Sequence, residues 1–95
     1  MPARTLLITG KVQGVFFRAN VLENAKKLGL SGWVRNVADS SVEVHAEGAE
    51  PALDALEAWC RKGTEQSRVD DVVVGQAQSE GLGSFEIVKD KEPIQ

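Results

Sequence analysis

Gly10-Lys11-Val12-Gln13-Gly14-Val15-Phe16-Phe17-Arg18 joins two segments of different periodicity. Before it, Thr5 to Val12 alternates: Leu6, Ile8, Gly10 and Val12 share one face, and Thr5, Leu7, Thr9 and Lys11 the other. Period two predicts a strand with one better-buried face. After it, from Arg18, residues Val21, Leu22, Ala25 and Leu28 mark one stripe of a helix. Two glycines and a glutamine therefore occupy a tight strand-to-helix loop. Glycine permits positive φ and a close approach to a ligand. A loop before a helix turns several N–H groups towards one point, where the helix dipole also favours an anion. Arg18 adds a permanently charged planar fork that fits a phosphate bidentately. The stretch has the parts of an anion cradle with an arginine clamp, although alone it also fits a plain corner with an exposed arginine.

The commoner phosphate loops are excluded. A Walker loop needs four residues between its glycines and then Lys-Ser/Thr, whereas three separate Gly10 from Gly14 and Val15-Phe16 follow. The three spaced glycines of a dinucleotide fingerprint are absent too.

Working outward, Gly29 is the expected helix C′ residue, with Leu30 folding back on the last turn, where Lys26 and Lys27 suit the dipole. Leu30 to Val37 reads as a second strand and Val42 to Glu47 as a third, joined by the hairpin turn Ala38-Asp39-Ser40-Ser41. The third strand places Val42, Val44 and Ala46 inward and Glu43, His45 and Glu47 outward, which predicts a solvated second face. Glu50-Pro51 opens a second helix with the apolar stripe Ala52, Leu53, Leu56, Trp59 and Cys60, ended by Gly63. Val69 to Val74 is a fourth strand, Ser79 to Ser84 a glycine-rich turn, Phe85 to Val88 a short fifth strand, and Lys89 to Gln95 a fraying tail. The order βαββαβ plus one strand predicts an α+β, ferredoxin-like split-βαβ sandwich of two helices on one antiparallel sheet.

Ninety-five residues suit one domain, and 42% hydrophobic with 26% charged residues suit a soluble globular chain. A net charge of −3 argues against nucleic-acid or acidic-membrane binding. The N-terminal residues match no signal peptide, and the lone Cys60 fits a reducing cytosol, so the expected compartment is cytoplasmic. Cys60 and His45 are expected to be a packing residue and a charged-face residue rather than a nucleophile and a base.

Ile8-Thr9-Gly10 through Arg18 resembles the first signature of the acylphosphatase family at every defining position, and Gly32-Trp33-Val34-Arg35-Asn36 resembles its second. The second match continues to Gly48, with Ser40 where the family has a hairpin glycine. The resemblance implies a single acylphosphatase-like domain over residues 1–95, the same fold, and hydrolysis of a carboxyl-phosphate anhydride to a carboxylate and inorganic phosphate. It assigns the phosphate to the backbone of Gln13, Gly14, Val15, Phe16, Phe17 and Arg18, with the Arg18 side chain as clamp, and gives Asn36 the attacking water. The leaving carboxylate has a parent pKa near ~4, so no general acid is required. The resemblance implies no cofactor and no metal. The partners it implies are a small acyl phosphate as substrate and inorganic phosphate as product and inhibitor, with no nucleic acid and no membrane, on a monomer.

Two other readings are weaker. The family also resembles an acyl- or carbamoyl-phosphate-binding module in hydrogenase-maturation carbamoyltransferases, but 95 residues leave nothing to use the bound group. A ferredoxin-like RNA-binding module would need exposed aromatics on the first and third strands, which this sequence lacks.

Overall fold

The computed structural model describes residues 1–90. In chain order the elements are β1 (Ala3–Lys11), α1 (Phe17–Lys27), β2 (Ser31–Asn36), β3 (Val42–Glu47), α2 (Glu50–Lys62), β4 (Arg68–Ala77) and β5 (Phe85–Ile87). The strands form one five-stranded sheet in the order β4-β1-β3-β2-β5. β1 pairs antiparallel with β3 and with β4, and β2 antiparallel with β3. β5 lies parallel to β2, so the sheet is mixed rather than wholly antiparallel. β4 and β5 hold opposite edges; the chain reverses and crosses the sheet between them, so β5 arrives running in β2's direction.

The alternating residues of the strands and the helix stripes meet in one core. Leu6, Ile8, Val34, Val42, Val44, Ala46 and Val72 from the sheet pack with Phe17, Val21, Ala25, Leu53, Leu56 and Cys60 from the helices. Each of the Val, Leu, Ile and Phe side chains contributes roughly 1.5–3 kcal/mol when fully buried, and the alanines less. Phe17 and Trp59 join the two helices, their ring centroids 5.3 Å apart. α1 ends as its sequence predicts: Gly29 N–H donates to Lys26 O and Leu30 N–H to Ala25 O, the paired bonds of a Schellman cap. Among the described residues no helix is long and apolar enough to cross a membrane.

The expectation of a solvated second face fails at one end. His45 and Glu47 are 3% and 1% exposed. The crossing segment lies over them: Ser79 Oγ and the N–H groups of Glu80 and Leu82 all donate to the Glu47 carboxylate. His45 donates to the same carboxylate at 2.7 Å and stacks on Trp33, over which Arg35 sits in turn. Alternation assigns a residue to a face of the sheet and says nothing of what later covers that face. β4 also runs three residues beyond the predicted Val74, pairing with β1 as far as Ala3.

Candidate active site

β1 changes register between Thr9 and Gly10, where a bulge steers the chain off the ladder. Gly10 has φ 129, and a Cβ there would collide with the Arg68 carbonyl. Val12, 1% exposed, then plugs into the core and anchors the loop that follows. Gln13 turns its side chain away from the loop and donates through Nε2 to Val37 O and Ser41 O, both at 2.9 Å. The loop is thereby fixed to the hairpin joining β2 and β3.

Gly14 (φ 74) and Phe16 (φ 59) are both left-handed. Such residues in a short loop build the backbone concavities that receive anions. Phe16 is the N-cap of α1 and brings no side-chain hydrogen bond to it, and the first turn of the helix holds no acidic residue. The dipole at this terminus is left without its usual internal compensation. Arg18 stands in that first turn, its side chain 36% exposed, and donates through Nη1 to Asp90 at 3.1 Å. Gly14, Phe16, Arg18, Ala19 and Ile87 line one cavity of about 290 Å³.

Asn36 ends β2. The pairings Ile8–Val42 and Asn36–Val42 put these three residues in one row across the sheet, at the end where α1 begins. It lies two residues beyond Val34, whose partner is Ile87, so it shares Val34's helix-side face. The Oδ1 atom of Asn36 is buried without a hydrogen-bond partner among the described residues. A buried, unpaired acceptor costs about 1–3 kcal/mol until a donor reaches it. Asn36 does not itself line the 290 Å³ cavity.

The hairpin beyond Asn36 holds a conformation its sequence does not favour. Ser40 has φ 77. Asp39 secures the turn, accepting from the Ser41 hydroxyl and N–H, and these bonds hold its carboxyl below the usual value.

Six of the predicted site residues thus form a continuous loop and helix start, with different fates for their side chains. Those of Phe16 and Arg18 face the cavity, that of Phe17 is buried against Trp59, Val15 packs at the core's margin, and Gln13 braces the hairpin. Ile87 and Asp90 were not anticipated as site residues. The short strand Phe85 to Val88 was read without a neighbour in the sheet, and nothing in a charged tail distinguishes Asp90. Of that tail, Lys89 and Asp90 are described, and residues 91–95 lie outside the described residues. Burial pushes the Cys60 thiol up to about 12, which removes it as a nucleophile.

The acylphosphatase family model matches residues 4–87. The chain belongs to the acylphosphatase family. A curated acylphosphatase from Anaeromyxobacter sp. is 47% identical over 83 residues, covering 86% of this chain and 89% of the relative. The crystal structure of acylphosphatase from Bacillus subtilis superposes with a TM-score of 0.89 at 40% identity, covering 93% of this chain and 99% of that one. Full-length HypF in its phosphate- and nucleotide-bound form gives a TM-score of 0.91 at 33% identity, covering 96% of this chain and 12% of that protein.

Proposed function

We propose that this acylphosphatase-family chain hydrolyses acyl phosphates to a carboxylate and inorganic phosphate at the start of α1. One observation carries the reading: a helix N-terminus with neither a side-chain cap nor an acidic first-turn residue, with Arg18 in that same turn. Phosphoryl transfer proceeds through a loose transition state with charge on the equatorial oxygens, so positioning and electrostatic stabilisation supply most of the catalysis. The backbone N–H groups of Gln13, Gly14, Val15, Phe16, Phe17 and Arg18 take those oxygens, and the Arg18 guanidinium clamps them. The pair with Asp90 is half exposed and so worth little, and a phosphoryl group displaces it. Asn36 offers its unpaired Oδ1 to the attacking water and orients it, a task that needs hydrogen bonding and no titration. The substrate phosphate accepts the water's proton, and the carboxylate leaves unprotonated. Every role falls to groups of this chain and the substrate. The chain's size and lone cysteine support a cytoplasmic monomer, and the reaction makes phosphate a product and competitive inhibitor.

Phosphate release from benzoyl phosphate tests the reading, and turnover should be equal with and without chelator. Arg18→Gln should weaken phosphate inhibition and slow turnover by ~10²–10³, the loss of a donor to developing charge. Asn36→Ala should cut turnover severely and leave the phosphate inhibition constant within a small factor of wild type, since it touches water rather than phosphate. Full turnover in folded Asn36→Ala, or normal phosphate binding in Arg18→Gln, would remove these roles. The likeness to HypF favours a second reading, a domain that binds an acyl phosphate without turning it over. Stoichiometric binding of phosphate with no multiple turnover would decide for it.

A further inference from the structure

Phe16 is 81% exposed and Ile87 42%, in a chain that buries Phe17, Val34 and Phe85 close by. Phe16 also holds φ 59, a left-handed conformation that bulky side chains rarely adopt. Neither packing nor backbone preference accounts for an aromatic residue there. Backbone outliers of this kind cluster at ligand clamps. Phe16 enters the 290 Å³ cavity from the start of α1 and Ile87 enters it from the end of β5, with Arg18 in the same lining. That volume lies near the low end of small-ligand pockets, roughly 300–1,000 Å³. Arg18 is its charged group; the other side chains, of Phe16, Ala19 and Ile87, are apolar. Asp90 sets a negative charge beside the guanidinium at 3.1 Å.

We propose that Phe16 and Ile87 form the acyl subsite, selecting acyl phosphates whose acyl group is compact, uncharged and apolar: an aryl or short branched aliphatic group. The inference rests on the acylphosphatase reading, because it needs the phosphoryl group held at Arg18. With that end fixed, the acyl group projects from the anion site onto the neighbouring apolar walls, and removing both surfaces from water favours binding. With Arg18 engaged by the phosphoryl group, the lining offers no cation to a second negative charge, so the same cavity selects against dicarboxylate-derived substrates.

The test compares kcat/KM for benzoyl phosphate and acetyl phosphate in wild type, Phe16→Asn, Ile87→Thr and the double variant. Asparagine tolerates the left-handed conformation at residue 16, and threonine keeps the β-branching that suits a strand. Dividing each variant's benzoyl-to-acetyl ratio by the wild-type ratio cancels the intrinsic reactivities of the two substrates. Because the cavity is half open, each single substitution should lower the ratio about threefold and the double about tenfold. The phosphate inhibition constant should stay within about twofold of wild type throughout. An unchanged ratio in the folded double variant would remove the subsite and leave the acylphosphatase reading standing. A parallel fall in phosphate affinity would put these side chains in the anion site and overturn the proposal. Wild-type protein that hydrolyses neither compound would overturn that reading and the subsite together.

Discussion

The two ends of the sheet treat their polar groups in opposite ways. At the end where β3 stops and α2 starts, they are satisfied. Glu47 is buried yet takes hydrogen bonds from Ser79, Glu80, Leu82 and His45. Arg4 pairs with Glu50, Asp54 and Glu57 within 3.1 Å. α2 has Pro51 and Glu50 in its first turn, which suit its N-terminus. At the end where α1 starts, the same rules are broken repeatedly. The helix lacks both cap and first-turn acid, and the two left-handed non-glycine residues among the described residues, Phe16 and Ser40, sit here. So does the unpartnered Asn36 Oδ1, and the unpartnered Thr64 Oγ1 lies on the return from α2 to β4, whose Arg68 pairs with Lys11. Consistency across levels builds the fold, and its lapses are expected at functional sites, which supports the reading that puts the site at this end. One end satisfies its polar groups internally, and the other leaves a helix start and a buried acceptor open.

The largest expected effect tests the satisfied end. Burial alone would push the Glu47 carboxyl up, but hydrogen bonds from Glu80 N–H, His45, Ser79 and Leu82 outweigh it and bring the group down to about 2. A folded value below the unfolded one means the stabilisation is present above pH 4.5 and is lost as pH falls from 4.5 through about 2. The amount is on the order of 3 kcal/mol. Urea melts across that range should show the decline in wild type, and Glu47→Gln should start less stable and lose this part of the slope. An identical slope in both proteins would assign the acid limb to other carboxylates.

A smaller effect comes from making the two helix starts alike. Ala19→Glu would put a carboxylate in the first turn of α1 and into the cavity beside Arg18. The helix should gain about 0.3–1 kcal/mol. Phosphate affinity should fall on the order of thirtyfold to a hundredfold, because like charges a few ångströms apart repel strongly even at an effective dielectric near ~20. Phosphate should raise the melting temperature of wild type by binding the folded state, and at the same concentration should raise that of the variant much less. Ala49→Ser is the counterpart in α2, where the N-cap already has the extended conformation, φ −63 and ψ 143, that a capping serine uses. It should stabilise by about 1 kcal/mol and leave turnover untouched. Equal phosphate binding in Ala19→Glu and wild type would place the anion elsewhere.

What could be read from the chain follows the same division. The elements and their order were legible because Leu6, Ile8, Val42 and Val44 repeat at two, and Val21, Ala25, Leu53 and Leu56 at helical spacing. The strand-to-helix loop was legible because Gly14 and Arg18 stand at a change of period. His45 and Glu47 were misread as solvated, because their cover comes from residues 79–82, more than thirty positions away. Ile87 and Asp90 reach the site by way of the parallel β2–β5 pairing, a long-range choice that no local pattern announces. Ser40 was expected in a position suited to glycine, and its φ of 77 agrees.

That serine carries the smallest expected effect. A left-handed conformation costs a residue with a Cβ about 1–2 kcal/mol, and glycine relieves it. Glycine also gives the unfolded chain more freedom, which returns about 0.5–1 kcal/mol. Ser40→Gly should therefore stabilise by a few tenths to ~1 kcal/mol, raising the melting temperature by about 1–8 °C in a domain of this size. Turnover should barely change, because other groups hold the turn. Asp39 accepts from Ser41, Ser40 contributes its backbone N–H to Val37 O, and Gln13 grips Val37 O and Ser41 O from the loop side. None of these bonds uses the Ser40 side chain, so Asn36 keeps its place. Urea melts beside benzoyl phosphate kinetics measure both halves. A destabilised Ser40→Gly would mean the serine fits its turn, and the cradle end would lose one of its broken rules. A more stable but slower variant would instead show that the strain at Ser40 helps to position Asn36.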